Sequence, residues 1–147
     1  MPPSTPSHQS FTLTTTPISQ KTALVTGASS GIGKALAYHF AQDGYQLVLA
    51  ARGEAKMQAL ADELQRQFKV AVTVIGADLE TNDGAAQLHA NIKARGITLS
   101  ALVNNAGYSQ SGAIETVAME DVRRQFETNV FGLIRMCQLV LPGMREQ

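Results

Sequence analysis

From Lys21 onward the chain alternates between two textures. Short β-branched or aliphatic runs occur at Ala23–Thr26, Leu47–Ala51, Val70–Ile75 and Leu99–Val103. They are nearly continuous rather than alternating, the pattern of parallel strands covered on both faces. Helical patterns fill the intervals. Ile32, Leu36 and Phe40 share one helix face after the first run, and Met57, Leu60, Leu64 and Phe68 make a second stripe. Ala85, Leu88 and Ile92 make a third, shorter one. Strand–helix alternation of this length predicts βαβ units with right-handed crossovers, hence an α/β fold built on a doubly wound parallel sheet.

The last helix begins near Met119, with Thr116 as a cap. Met119, Val122, Phe126, Val130, Leu133 and Cys137 form one face, and Phe131, Ile134 and Leu141 add apolar surface on another. Such a helix is too apolar to be covered on one side only, so burial on two sides is expected. Pro142-Gly143 marks its end.

Composition changes this picture at one end. Residues 1–20 hold four of the five prolines, and nine of the twenty positions are Ser or Thr. This stretch cannot bury enough apolar surface to offset its ordering entropy, so a disordered leader is expected, followed by one domain over 21–147. It has neither the basic start nor the apolar core of a secretory signal. The first arginine of the chain is Arg52, which argues against a transit peptide. An over-extended start is the simpler reading.

The remaining 127 residues suffice for one real core. Twelve basic residues balance twelve acidic ones, which points away from nucleic acid and from anionic membrane surfaces. No apolar run approaches a membrane span. Cys137 is the sole cysteine, and His8, His39 and His89 are scattered without metal-ligand spacing. A reducing, cytoplasmic setting is expected.

The chemistry gathers at Thr26-Gly27-Ala28-Ser29-Ser30-Gly31-Ile32-Gly33, between the first strand and the first helix. A turn there aims backbone N–H groups and a helix N-terminus at one point, which favours a phosphate. Gly27 allows the tight turn, Gly31 lets backbone approach a pyrophosphate, and Gly33 lets the helix lie close on the sheet. The spacing G-x-x-x-G-x-G is neither G-x-G-x-x-G nor a P-loop, and alone it is equally an ordinary glycine turn.

In dinucleotide folds the ribose contact lies about 20 residues past the glycines, at the end of the second strand. Here that place is Ala50-Ala51-Arg52. No carboxylate is present to bind a 2′-hydroxyl, whereas Arg52 presents a cationic fork suited to a 2′-phosphate. NADP(H) is therefore expected over NAD(H); the alternative is a solvated arginine opening the next helix. After the third run, Asp78 can accept from an adenine amino group while Leu79 packs near the ring, or Asp78 only starts a helix. After the fourth run, Asn104-Asn105-Ala106-Gly107 sits where open α/β sheets bind ligands, and as isolated letters is a turn.

Together these pieces resemble the short-chain dehydrogenase/reductases. Thr26-Gly27-x-x-x-Gly31-Ile32-Gly33, Asp78-Leu79, Asn104-Asn105-Ala106-Gly107 and Asn129 occur in that family's order, over about Lys21 to Gln147. The resemblance implies a Rossmann-like sheet of order 3-2-1-4 and a cofactor pyrophosphate on the turn, with Gly27, Ser29, Ser30, Gly31, Ile32 and Gly33 around it. It implies Asp78 and Leu79 at the adenine, and Asn105, Ala106 and Gly107 beside the adenosine ribose. It also implies Asn129 in the catalytic apparatus, helping to hold a water that connects a catalytic lysine to solvent. Periodicity alone makes Asn129 a tolerated polar residue in a helix.

The family works with a serine and a Tyr-x-x-x-Lys pair, the tyrosine as general acid/base. Tyr38, Tyr45 and Tyr108 are followed four residues on by Gln42, Leu49 and Gly112, none of them lysine. The chain therefore reads as the cofactor-binding half of such an enzyme, truncated before the remaining strands. The implied function is hydride transfer between NADP(H) and a small carbonyl/alcohol substrate, in a protein that forms homo-oligomers when complete. Two alternatives stand beside it, a non-catalytic nucleotide-binding module and an inactive fragment. The unpaired fourth strand and the doubly apolar last helix predict a chain that associates when expressed alone.

Overall fold

The computed structural model describes residues 21–147, so the expected leader and His8 lie outside the described residues. Four parallel strands form one sheet: β1 (Thr22–Thr26), β2 (Gln46–Ala51), β3 (Val72–Gly76) and β4 (Ala101–Val103), in the order β3-β2-β1-β4. In register, Val25 lies beside Leu49 on one side and Val103 on the other. The helices between them are α1 (Gly31–Gln42), α2 (Glu54–Phe68) and α3 (Gly84–Ala94). After β4 come α4 (Met119–Phe126), a π-helical turn over Glu127–Gly132, and α5 (Leu133–Arg145).

The pleat divides the apolar runs between two cores. Ala23, Val25, Leu47 and Leu49 face one way, onto Ala37 and Ala41 of α1 and Met57, Leu60 and Leu64 of α2. Leu24, Val48 and Ala50 face the other, onto Leu88 and Ile92 of α3 and Met136 and Val140 of α5. Continuous apolar strands are thus satisfied by a helix layer on each face, as the sequence pattern requires. The strand order reverses between β1 and β4, because α3 carries the chain back across the sheet. The carboxyl ends of β1 and β4 consequently diverge in their connections, and that divergence opens a crevice.

Two expectations about helix faces are corrected. In α1 the buried positions are Gly33, Ala37 and Ala41; Ile32 is 73% exposed, and Leu36 and Phe40 are half-buried. The glycine turn sets the helix azimuth, since Gly33 must lie against the turn, and the i+4 and i+8 positions follow it inward. In the last helix the buried positions are Thr128, Gly132, Met136 and Val140, while Phe126, Val130, Phe131, Leu133, Ile134 and Leu141 are exposed. The wider π-helical turn rotates the face that reaches the sheet. The described residues therefore cover this helix on one side only.

Two expected helix boundaries also move. The Thr116 hydroxyl donates to the Ala113 carbonyl in a turn, and Ala118, with no side-chain cap, precedes α4. Helix α5 runs through Pro142 to Arg145. A proline this near the end removes only one late N–H bond, and Gln147 secures the terminus by donating from Nε2 to the Leu99 carbonyl at 2.8 Å. Among the described residues no helix is long and apolar enough to cross a membrane.

Candidate functional site

A cleft of about 560 Å³ opens at the carboxyl end of the sheet, lined by residues from all four strand ends. Its floor is organised by Thr26, the last residue of β1, which is 1% exposed. The Thr26 hydroxyl donates to the Val103 carbonyl at 3.2 Å. It accepts the N–H groups of Asn105 at 3.1 Å and Ala106 at 3.0 Å. One side chain thus ties β1 to the segment leaving β4. Asn105 returns the connection, donating from Nδ2 to the carbonyls of Thr26 at 3.1 Å and Gly27 at 3.2 Å. On the other side the Gly27 N–H donates to the Ala50 carbonyl at 2.8 Å, so the turn is bonded to both neighbouring strands.

The glycines divide into two kinds. Gly27 has φ +65°, and a Cβ there would lie 2.8 Å from Ala106 Cα; at Gly33 it would lie 2.3 Å from the Gly27 carbonyl oxygen. Both are filled by the protein's own backbone, and Gly33 serves helix-to-turn packing rather than helix-to-sheet packing. Gly31 also has positive φ, +56°, yet beyond its chain neighbours and its own helix backbone no described heavy atom lies within 4 Å of where its Cβ would be. Ser30, extended at the N-cap of α1, makes no side-chain capping bond. The first-turn amides of α1 therefore carry their partial positive charge without a side-chain acceptor.

The cleft brings together Gly27, Ser29, Ser30, Arg52, Asp78, Leu79, Ala106 and Gly107 of the expected site residues. Gly31, Ile32, Gly33, Asn105 and Asn129 are not among its lining residues. Gly33 and Asn105 support the turn, and Ile32 is exposed beside it. Asn129 sits behind Gly107, where a Cβ would lie 2.9 Å from Asn129 Oδ1. Both ends of its amide are engaged: Oδ1 accepts the Tyr108 N–H at 3.1 Å, and Nδ2 donates to the Tyr108 carbonyl at 2.7 Å. Asn104 donates from Nδ2 to Cys137 Sγ at 3.2 Å, joining the end of β4 to α5. Asp78 Oδ1 accepts the Glu80 N–H at 3.0 Å and shapes a turn, while α3 starts only at Gly84 behind Asp83.

Further residues line the cleft without having been singled out as cofactor contacts, among them the polar Lys56, Glu80, Tyr108 and Thr128. Lys56 lies in the first turn of α2, and its spacing four residues after Arg52 was the available signal. Glu80 pairs with Arg52 at 2.9 Å across 28 residues of sequence, a contact that depends on β2 and β3 being neighbours. Thr128 is 7% exposed, and its hydroxyl has no hydrogen-bond partner among the described residues. Buried hydroxyls are normally paired, so this one is an exception within the described packing.

A parallel sheet with a topological switch point, and a glycine turn feeding a helix at that point, define a Rossmann-like fold. The short-chain dehydrogenase model matches residues 21–147, and the chain belongs to that family. It is 32% identical over 128 residues to the very-long-chain 3-oxoacyl-CoA reductase of Scheffersomyces stipitis, covering 86% of this chain and 37% of that protein. Among solved structures it resembles L-sorbose reductase from Gluconobacter frateurii, complexed with NADPH and L-sorbose. That match has a TM-score of 0.83 and 34% identity over 88% of this chain and 49% of that one. A short-chain dehydrogenase from Sphingobium yanoikuyae in complex with NADPH gives 0.76 and 38% over 83% and 48%. The chain thus spans about half, or less, of the length of these relatives.

Proposed function

We propose that this chain is the cofactor-binding part of an NADP(H)-dependent oxidoreductase acting on a small carbonyl/alcohol pair. The observation that carries this reading is the cleft itself. Ser29 and Ser30 line one end at the uncapped start of α1, next in sequence to the open-faced Gly31; Arg52, with no competing acid at position 51, and Asp78, just past the end of β3, line it too. The residues fit a dinucleotide phosphate. The helix N-terminus favours its charge, and the space above Gly31 lets an anion approach the backbone.

In this reading the turn from Gly27 to Gly33, with Ser29, Ser30 and Ile32, holds the pyrophosphate. Arg52 recognises the 2′-phosphate. Asp78 accepts from the adenine amino group through the carboxylate oxygen that its turn leaves free, and Leu79 packs on the ring. Asn105, Ala106 and Gly107 border the adenosine ribose. Asn129 is a positioning residue that fixes the main chain of Tyr108 at the cleft rim. When bound, the cofactor supplies or accepts the hydride; the chain's own residues bind and orient it.

The test is direct titration of the 147-residue chain with NADPH and NADH by calorimetry. NADPH is expected to bind more tightly, and Arg52→Ala to weaken NADPH by about tenfold while leaving NADH within twofold. Equal affinities, or equal losses for both, would remove the NADP(H) assignment. No tyrosine here is followed by lysine four residues on, which favours a second reading for these residues alone: a nucleotide-binding unit without turnover. NADPH oxidation with generic ketones separates the two. The single Cys137 fits a cytoplasmic, reducing setting. The exposed Phe131, Ile134 and Leu141 support self-association, which sedimentation would read.

A further inference from the structure

The Arg52–Glu80 pair sits inside the cleft wall, yet its two members are unlike. The Arg52 side chain is 67% exposed, whereas the Glu80 side chain is only 20% exposed. Glu80 is also held at its backbone, since its N–H donates to Asp78 Oδ1 and the Thr81 hydroxyl closes the same turn on the Asp78 carbonyl. The carboxylate is therefore the fixed partner, and the guanidinium is the one free to change hands. Arg52 Nη1 is the atom given to Glu80. A phosphate engages an arginine best through two parallel N–H bonds, which makes Glu80 and an incoming phosphate competitors for one fork.

We propose that Glu80 is a cofactor-specificity residue, a built-in counter-ion that holds Arg52 until a 2′-phosphate displaces it. This rests on the reading of the cleft as an NADP(H) site. A cofactor with a bare 2′-hydroxyl leaves the ion pair intact, so Glu80 opposes binding of the phosphorylated cofactor alone. The preference for NADPH over NADH is consequently narrower than Arg52 by itself would impose. An exposed pair of this kind is weak, which keeps the displacement reversible and sets the size of the effect.

The experiment measures affinities of the full chain for NADPH, NADH and 2′,5′-ADP, in wild type, Glu80→Gln, Arg52→Ala and the double variant. Glu80→Gln keeps the side chain's shape and removes its charge. It is expected to tighten NADPH and 2′,5′-ADP about three- to fivefold and to leave NADH within about 1.5-fold. In the Arg52→Ala background the same substitution should change nothing, because the group it releases is gone. Three results would overturn the proposal: unchanged NADPH affinity in Glu80→Gln, an equal gain with and without Arg52, or weaker NADPH binding. The last would mean that Glu80 holds Arg52 ready rather than occupied. Absence of saturable binding of either cofactor to wild type would instead overturn the reading of the cleft.

Discussion

Replacing Thr26 with valine tests whether one buried hydroxyl joins the two halves of the cleft floor. Valine keeps the volume, the β-branching and the strand preference, so only the hydroxyl is lost. Three hydrogen bonds go with it, at 3.0, 3.1 and 3.2 Å. Their loss is unequal. The Asn105 N–H also donates to the Val103 carbonyl at 3.0 Å, so those two groups keep each other. The Ala106 N–H is left without a partner, at a cost of about 1–3 kcal/mol, and the two remaining bonds add about 0.5–1.5 kcal/mol between them after this compensation. The expected destabilisation is about 2–4 kcal/mol, which for a domain of this size lowers Tm by about 8–16 °C. Urea unfolding followed by circular dichroism measures it, with Thr26→Ser as the control that keeps the hydroxyl and loses less than about 1.5 kcal/mol. A valine variant within 0.5 kcal/mol of wild type would refute the reasoning, as would a serine variant equally damaged.

The two kinds of glycine make opposite predictions. Gly33→Ala drives a methyl into the Gly27 carbonyl and Asn105 Nδ2, so it should cost about 3 kcal/mol or more and be visible as a lowered melting temperature. Gly31→Ala meets only the strain of positive φ, about 1–2 kcal/mol, and should fold while losing most NADPH affinity in a titration. Loss of folding in both, or of binding in neither, contradicts the division. Thr128→Val removes a buried hydroxyl with no partner among the described residues and should raise the stability of the ligand-free chain by about 1 kcal/mol; a drop of that size in thermal unfolding would mean the hydroxyl is already satisfied.

Much of this was legible in the sequence because the signals are local. Apolar runs buried on both faces, stripes such as Met57-Leu60-Leu64, and the order of the glycine turn, Arg52, Asp78 and Asn105 all sit on single elements. The misread helix faces have a common cause. In α1 the azimuth follows from Gly33 meeting the Gly27 carbonyl, and in the last helix it follows from a π-helical turn that lets Gly132 approach the Leu79 main chain. Both depend on backbone contacts between elements, which a hydrophobic period assumes constant and cannot register.

The chain's own letters determined its class, its parallel sheet with covered faces, and the segments that meet at the carboxyl ends of the strands. These follow from strand and helix periods and from residues whose backbone or charge requirements are intrinsic, such as glycine at positive φ and arginine as a cation. Tertiary structure alone decided how those residues are employed. It joined Thr26 to Asn105 and Ala106 across about 80 residues, turned Asn129 onto Tyr108, left the buried Thr128 hydroxyl unpaired among the described residues, and set Glu80 against Arg52. Strand adjacency does this: the order β3-β2-β1-β4 brings distant strand ends within hydrogen-bond reach, and no local pattern encodes which side chain meets which.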